Sequence, residues 1–247
     1  MQNQYDPRSS TGPGGGVNPA TTVGVPRAAR DAGLRSYMLS VYNYMASGVL
    51  LTGIVALLFA TSGMAEQVLT TPLRWLIILA PLGFVMAMSF GLNRMSTGTL
   101  QTLFWAFAVA MGLSMSSIFL VYTGTSIAQT FFAVSAGFAA LSLYGYTTKR
   151  DLSGMGTFLI MGVVGLLIAM VINLFLQSSA MMMAISAIGV LLFAGLTAYD
   201  TQRIKSMYAQ VAGTDMMGKV VIMGALSLYL DFINMFTFLL SFTGSRE

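Results

Sequence analysis

Seven apolar stretches, each about as long as a lipid bilayer is thick, constrain this chain more than any other feature. They run roughly over Tyr37–Thr61, Trp75–Leu92, Leu100–Tyr122, Ile127–Thr148, Thr157–Gln177, Ala180–Tyr199 and Val220–Phe242. About twenty apolar residues cross the hydrocarbon core as a helix, and only a helix or closed barrel satisfies its backbone there. Only 8% of the 247 residues are charged, against about 25% in a soluble domain. Mean hydropathy is +0.77. The expected fold is therefore all-α: a polytopic membrane protein built as a seven-transmembrane-helix bundle. Short links such as Thr123 to Ser126 and Ser178-Ser179 make consecutive helices antiparallel neighbours. No internal repeat is visible, which argues against an inverted-repeat transporter.

Two regions follow from this pattern. Residues 1–32 are rich in Gly, Pro, Ser, Thr and Asn, with the run Gly12-Pro-Gly-Gly-Gly16, and read as a disordered cytoplasmic tail. Residues 33–247 form the transmembrane domain. The tail is no signal peptide, because no apolar stretch occurs in its first thirty residues. With the N-terminus inside, Arg8, Arg27, Arg30, Arg35, Arg94, Lys149, Arg150, Arg203, Lys205 and Lys219 fall in the cytoplasm. Only Arg74 and Arg246 fall outside. That asymmetry fixes the orientation by the positive-inside rule. Seven crossings then place the C-terminus in the periplasm. A last segment that dips in and returns would keep it inside. The net charge of +4 reads as membrane topology, not as nucleic-acid binding.

Cysteine and histidine are both absent. This removes thiolate nucleophiles, disulfides, Cys/His zinc sites and Ser-His-Asp catalysis. The twenty methionines read as packing; Met181-Met182-Met183 points three ways around a helix and is no copper cluster. Pro81 is expected to kink the second helix. Pairs such as Gly112 with Ser116, or Gly165 with Ala169, allow close helix approach.

What chemistry remains is acidic. Asp231 sits inside the last apolar segment and Asp200 at the end of the one before. An intramembrane carboxylate is a functional candidate by default. Asp231 lies ~16 Å along the seventh segment as drawn from Val220. The two acids reach one depth if the sixth helix continues past Tyr199 through Ile204 and Met207 and the seventh starts a little later. Two carboxylates meeting in a low dielectric are best held by one shared proton. Its loss makes them repel, which would open the bundle. The ionised pair offers hard oxygen ligands to Ca²⁺. Arg94 is a candidate counter-cation, and Tyr199, Arg203, Tyr229 and Asn234 are candidate supporting polar residues. Blander readings compete. Asp200 with Arg203 can be an i,i+3 interfacial ion pair. Asp231 can be a hydrogen-bonding group satisfied by Asn234, Tyr229 or Ser227. Arg94 can be an ordinary anchor.

The runs Gly195-Leu-Thr-Ala-Tyr-Asp-Thr-Gln-Arg-Ile-Lys205 and Gly224-Ala-Leu-Ser-Leu-Tyr-Leu-Asp-Phe-Ile-Asn234 resemble the two signature stretches of the transmembrane Bax-inhibitor-motif family. Ser142-Leu-Tyr-Gly-Tyr-Thr-Thr-Lys-Arg-Asp-Leu-Ser-Gly154 is similar to its bacterial inner-membrane branch. The resemblance covers about residues 33 to 245. It implies a seven-helix bundle with helix seven central, and matches Asp200 and Asp231 to paired aspartates associated with a pH-sensitive Ca²⁺ leak. The chain departs around Arg94, where some relatives carry a denser basic cluster, and Gly244-Ser-Arg-Glu247 is too short for the charged tail of eukaryotic relatives.

The expected function is a proton-gated Ca²⁺ leak in a bacterial inner membrane, with no enzymatic activity and no bound cofactor. The alternative is a regulator that binds another membrane protein, such as a quality-control protease or cell-death factor, with the tail as its handle. An intramembrane aspartyl protease would need a Gly-x-Gly-Asp run at the second acid and a later Pro-Ala-Leu, which this sequence lacks. A retinal receptor would need a lysine within helix seven.

Overall fold

A computed structural model describes residues 27–245. Among them the elements are α1 (Arg27–Thr61), α2 (Met64–Leu69), α3 (Leu73–Gly91), α4 (Thr97–Met115), α5 (Ile118–Val121), α6 (Gly124–Thr147), α7 (Ser153–Leu176), α8 (Ser179–Val211) and α9 (Met216–Thr243). There is no strand among the described residues. Seven helices are long and apolar enough to cross a membrane, with α4 and α5 together making one crossing. The expected all-α polytopic bundle is what the chain forms. Residues 1–26, most of the expected tail, lie outside the described residues, as does Arg246. The last part of that tail, from Arg27 on, is instead the start of α1.

Hydroxyl side chains start three of the helices. Ser96 accepts from the Thr99 amide (3.1 Å), Thr123 from Ser126 (3.3 Å) and Ser178 from Met181 (3.3 Å). Each satisfies an amide that has no partner within its helix. Pro81 lies inside α3, buried, and the helix continues on both sides of it.

α9 is the axis of the bundle. Of its most apolar stretch, 72% of residues are buried within the protein, against 11–33% for the other six spans. Its neighbours are α8, α1, α6 and α4. α3 packs on the outside of α4, and α7 on the outside of α8. Tyr37, Met45, Phe104, Phe107, Leu228 and Tyr229 are among the core side chains packed around the axis. Lipid covers the outer helices, so Phe158, Leu174 and Phe175 of α7 face outward, as an apolar solvent permits.

Two connections show that α9 crosses the bundle from end to end. At one end Lys219 donates to the Leu92 carbonyl (3.2 Å). At the other, the amide of Thr123 donates to the Ser245 carbonyl (3.1 Å), and the Ser245 amide donates to the Ser126 hydroxyl (3.0 Å). The re-entrant alternative for the last segment is not what forms. The described N-terminal end of α1 packs by Tyr208 at the far end of α8, so the first and last described residues lie at opposite ends.

Candidate functional site

The sixth crossing outruns its hydropathy. α8 continues to Val211, beyond the apolar run that ends at Tyr199. Its last turns are amphipathic, with Ile204, Met207, Tyr208 and Val211 packed on the core. They are held on α1, where the Tyr37 hydroxyl donates to the Ile204 carbonyl (3.3 Å) and the Tyr37 and Tyr208 rings lie 5.4 Å apart. Asp200 is thereby drawn inward, ~16 Å from the end of α8 at 1.5 Å per residue. The seventh helix starts earlier than expected, at Met216, which puts Asp231 ~22 Å in from the same end of the bundle. The two depths agree to about one helical turn.

α8 and α9 form the most extensive helix pair in the fold, and across it Asp231 lies within electrostatic reach of Asp200. Asp231 is buried, 4% exposed; Asp200 is half-buried. Among the described residues only two buried side-chain polar atoms have no hydrogen-bond partner. They are Asp231 Oδ2 and Ser186 Oγ. An ionised carboxylate is costly in such a place, so the site suits a carboxyl that carries a proton.

The other candidates lie elsewhere. Tyr229 is fully buried on the side of α9 toward α1 and α4. Its hydroxyl is 2.6 Å from the Thr52 hydroxyl, which in turn donates to the Ala108 carbonyl (2.9 Å). Since the carbonyl can only accept, Tyr229 is the donor to Thr52. Two positions apart on a helix is about 200° of rotation, so Tyr229 and Asp231 face opposite ways. Asn234 donates back to the Leu230 carbonyl of its own helix (2.8 Å). Neither Tyr229 nor Asn234 satisfies Asp231. Tyr199 turns toward α7, its ring against Gly156. Arg203 is exposed at the end of the bundle, in a shallow cavity with Lys149, Arg150 and Tyr199. No contact ion pair forms between Arg203 and Asp200 among the described residues. Arg94 is exposed in the turn after α3 and is not among the charges acting on either aspartate. The turn that carries Arg94 meets the start of α9, where the Leu92 carbonyl accepts from Lys219.

Sequence reasoning missed a polar layer beside the pair. Thr197 and Thr201 are fully buried on α8, flanking Asp200. Thr201 donates to the buried Ser142 hydroxyl of α6 (3.3 Å), and Thr197 to the Phe193 carbonyl (2.8 Å). The signal was hydroxyl residues at i−3 and i+1 from an intramembrane acid, where helical spacing puts them on one side. No cluster of three or more acidic, His or Cys side chains suited to a metal occurs among the described residues. Two carboxylates supply part of the six to eight oxygens that Ca²⁺ takes, with carbonyls and water left to provide the rest.

Fold and site define a class: a multi-pass bundle around a central helix that carries a buried acid beside a second acid. A sequence model of the family described as "Inhibitor of apoptosis-promoting Bax1" matches residues 34–247. The chain is 47% identical over 220 residues to the inner membrane protein YbhL of Escherichia coli K12, covering 87% of this chain and 94% of YbhL. It is 50% identical over 219 residues to RP147, an uncharacterised protein of Rickettsia prowazekii, covering 88% and 92%. It is 38% identical over 219 residues to YrjE of Lactococcus lactis, covering 87% and 93%. The protein belongs to the Bax inhibitor family and is a multi-pass inner membrane protein.

Proposed function

We propose that this protein is a pH-sensitive leak for cations, Ca²⁺ foremost, gated by one proton held between Asp200 and Asp231. The observation that carries this reading is the buried acid on the central helix, with one oxygen unpartnered and a second carboxyl in electrostatic reach on the adjacent helix. With the proton in place, the pair carries one negative charge and α8 stays closed on α9. When the proton leaves, two charges face each other in a low dielectric, and separating the helices relieves them. The opened junction exposes two carboxylates to water, and a passing Ca²⁺ keeps much of its hydration while it exchanges part of it for carboxylate oxygen. Flux therefore rises with pH.

The test uses purified protein in liposomes with a trapped Ca²⁺ indicator, run from about pH 5 to about pH 8, the window in which histidine would otherwise serve. The wild type should leak more as pH rises. Asp231→Asn and Asp200→Asn cannot develop the paired charge, and their flux should lose that rise. Flux indifferent to both substitutions would overturn the leak and favour the regulator that binds another membrane protein. We also propose that the basic end of the bundle, with Arg35, Lys149, Arg150, Arg203, Lys205 and Lys219, faces the cytoplasm.

A further inference from the structure

α1 and α6 both lie against α9 but make no extensive contact with each other. Between them is a cavity of about 650 Å³, floored by Phe232 of α9 and walled by residues that include Val49, Leu50, Ala139 and Leu143. Neither aspartate lines it. On α1 it extends from Arg35 to Leu50, ~22 Å along the helix at 1.5 Å per residue. An unfilled apolar groove of that length forfeits dispersion contacts along both walls, so in a bilayer it is occupied.

Its basic mouth decides by what. Arg35 is exposed there and has no carboxylate or hydrogen-bond partner among the described residues. Tyr146 also lines the mouth, and its carbonyl accepts from Lys205 Nζ (2.6 Å), which sits 4.8 Å from the centre of the Tyr146 ring. The remaining charges nearby are Arg30 and Asp31, which line a small neighbouring cavity together with Lys205. Three cations against one anion favour a negatively charged occupant. Size selects its kind. A helix with side chains is ~10 Å across, so ~22 Å of one occupies ~1,700 Å³, more than the roughly 1390 Å³ of empty space in the groove. A single hydrocarbon chain is much thinner, and one leaflet is ~15 Å deep, so such a chain from the near leaflet runs along most of the groove.

We propose that the groove between α1 and α6 binds one anionic phospholipid of the leaflet at the basic end, with an acyl chain along Phe232 and the phosphate on Arg35. Lipid binding there does not require the aspartate pair to act as a gate. Full-length protein is reconstituted in vesicles of equal phosphatidylglycerol and phosphatidylethanolamine, extracted in mild detergent, and its retained lipids are counted by native mass spectrometry. The wild type should keep one phosphatidylglycerol in preference to phosphatidylethanolamine. Arg35→Gln, at an exposed position that folding tolerates, should lower that preference about tenfold, because Arg35 attracts the net negative charge of phosphatidylglycerol, which the ammonium of phosphatidylethanolamine cancels. Ala139→Trp, which fills the groove, should abolish retention of either lipid. Leu167→Trp, on the outward face of α7, should match the wild type. Equal retention of the two lipids by the wild type, or a preference unchanged by Arg35→Gln, overturns the proposal. So does a partner protein held in the groove and released by Ala139→Trp while lipid retention stays at wild-type level.

Discussion

Asp231 and Tyr229 show how much two positions on one helix can differ. Both are buried on α9. Tyr229 closes a hydrogen-bonded chain through Thr52 to Ala108, tying three helices together at one level. Asp231 leaves an oxygen unpartnered. Tyr229→Phe removes one donor and leaves Thr52 its bond to Ala108, so it should cost about 0.5–1.5 kcal/mol, read as a modest drop in melting temperature in detergent. Its pH profile of flux should match the wild type, because the hydroxyl does not face the aspartates. A flattened profile in Tyr229→Phe would instead join that chain to the gate. The sequence made Asp231 legible by its depth alone. It did not reveal which neighbours a side chain meets, so Tyr229 and Asn234, both near in sequence, were drawn to a site that neither touches.

At the scale of the element, the approach of α6 to α8 depends on a missing side chain. A Cβ on Gly145 would run into the backbone carbonyl of Ala198, whereas one on Gly137, two turns away on the same helix, would meet nothing. Gly145→Val should force the helices apart and destabilise the fold by about 1–3 kcal/mol. It should also disturb the Thr201–Ser142 bond beside Asp200. Gly137→Ala should be neutral or slightly stabilising, since it only removes backbone freedom; thermal unfolding of the two variants side by side separates the cases. The start of α7 offers a pH test outside the membrane. Asp151 accepts from the Ser153 amide (2.9 Å). Hydrogen bonds from the Ser153 side chain and backbone hold the Asp151 carboxyl below its ordinary value. A depressed folded value means that its contribution is present above the unfolded carboxylate value, about 3.9, and is lost as pH falls through the folded one. The protection factor of the Ser153 amide, the intrinsic exchange rate over the observed one at the same pH, should therefore hold at neutral pH and fall only in acid below about pH 4. The extension of α8 belongs to this scale as well. Hydropathy ends at Tyr199, but spacing of Ile204, Met207, Tyr208 and Val211 marks an amphipathic continuation, and Tyr37 of α1 gives it something to pack on.

Over the whole molecule, charge is segregated. Arg35, Arg94, Lys149, Arg150, Arg203, Lys205 and Lys219 gather at one end, and Arg74 starts α3 at the other. Because α9 spans from the Lys219–Leu92 contact to the Thr123–Ser245 contact, reporters fused to the N- and C-termini should be found on opposite faces of the inner membrane, the N-terminal one in the cytoplasm. Both reporters on one face would contradict an end-to-end seventh crossing.

Length and hydropathy by themselves determined the seven crossings, the antiparallel order and the two acids that merit attention, because a bilayer imposes a fixed thickness and penalises charge wherever it occurs. Order along the chain holds no such record of lateral packing. Which helix became the axis was suggested only by resemblance; that Thr197 and Thr201 flank Asp200 in a buried layer, and that α1 and α6 stand apart over Phe232, were settled by tertiary structure. In lipid, one apolar face is as well solvated as another, so it is the fit of small against large side chains, not hydrophobicity, that chooses each helix's neighbours.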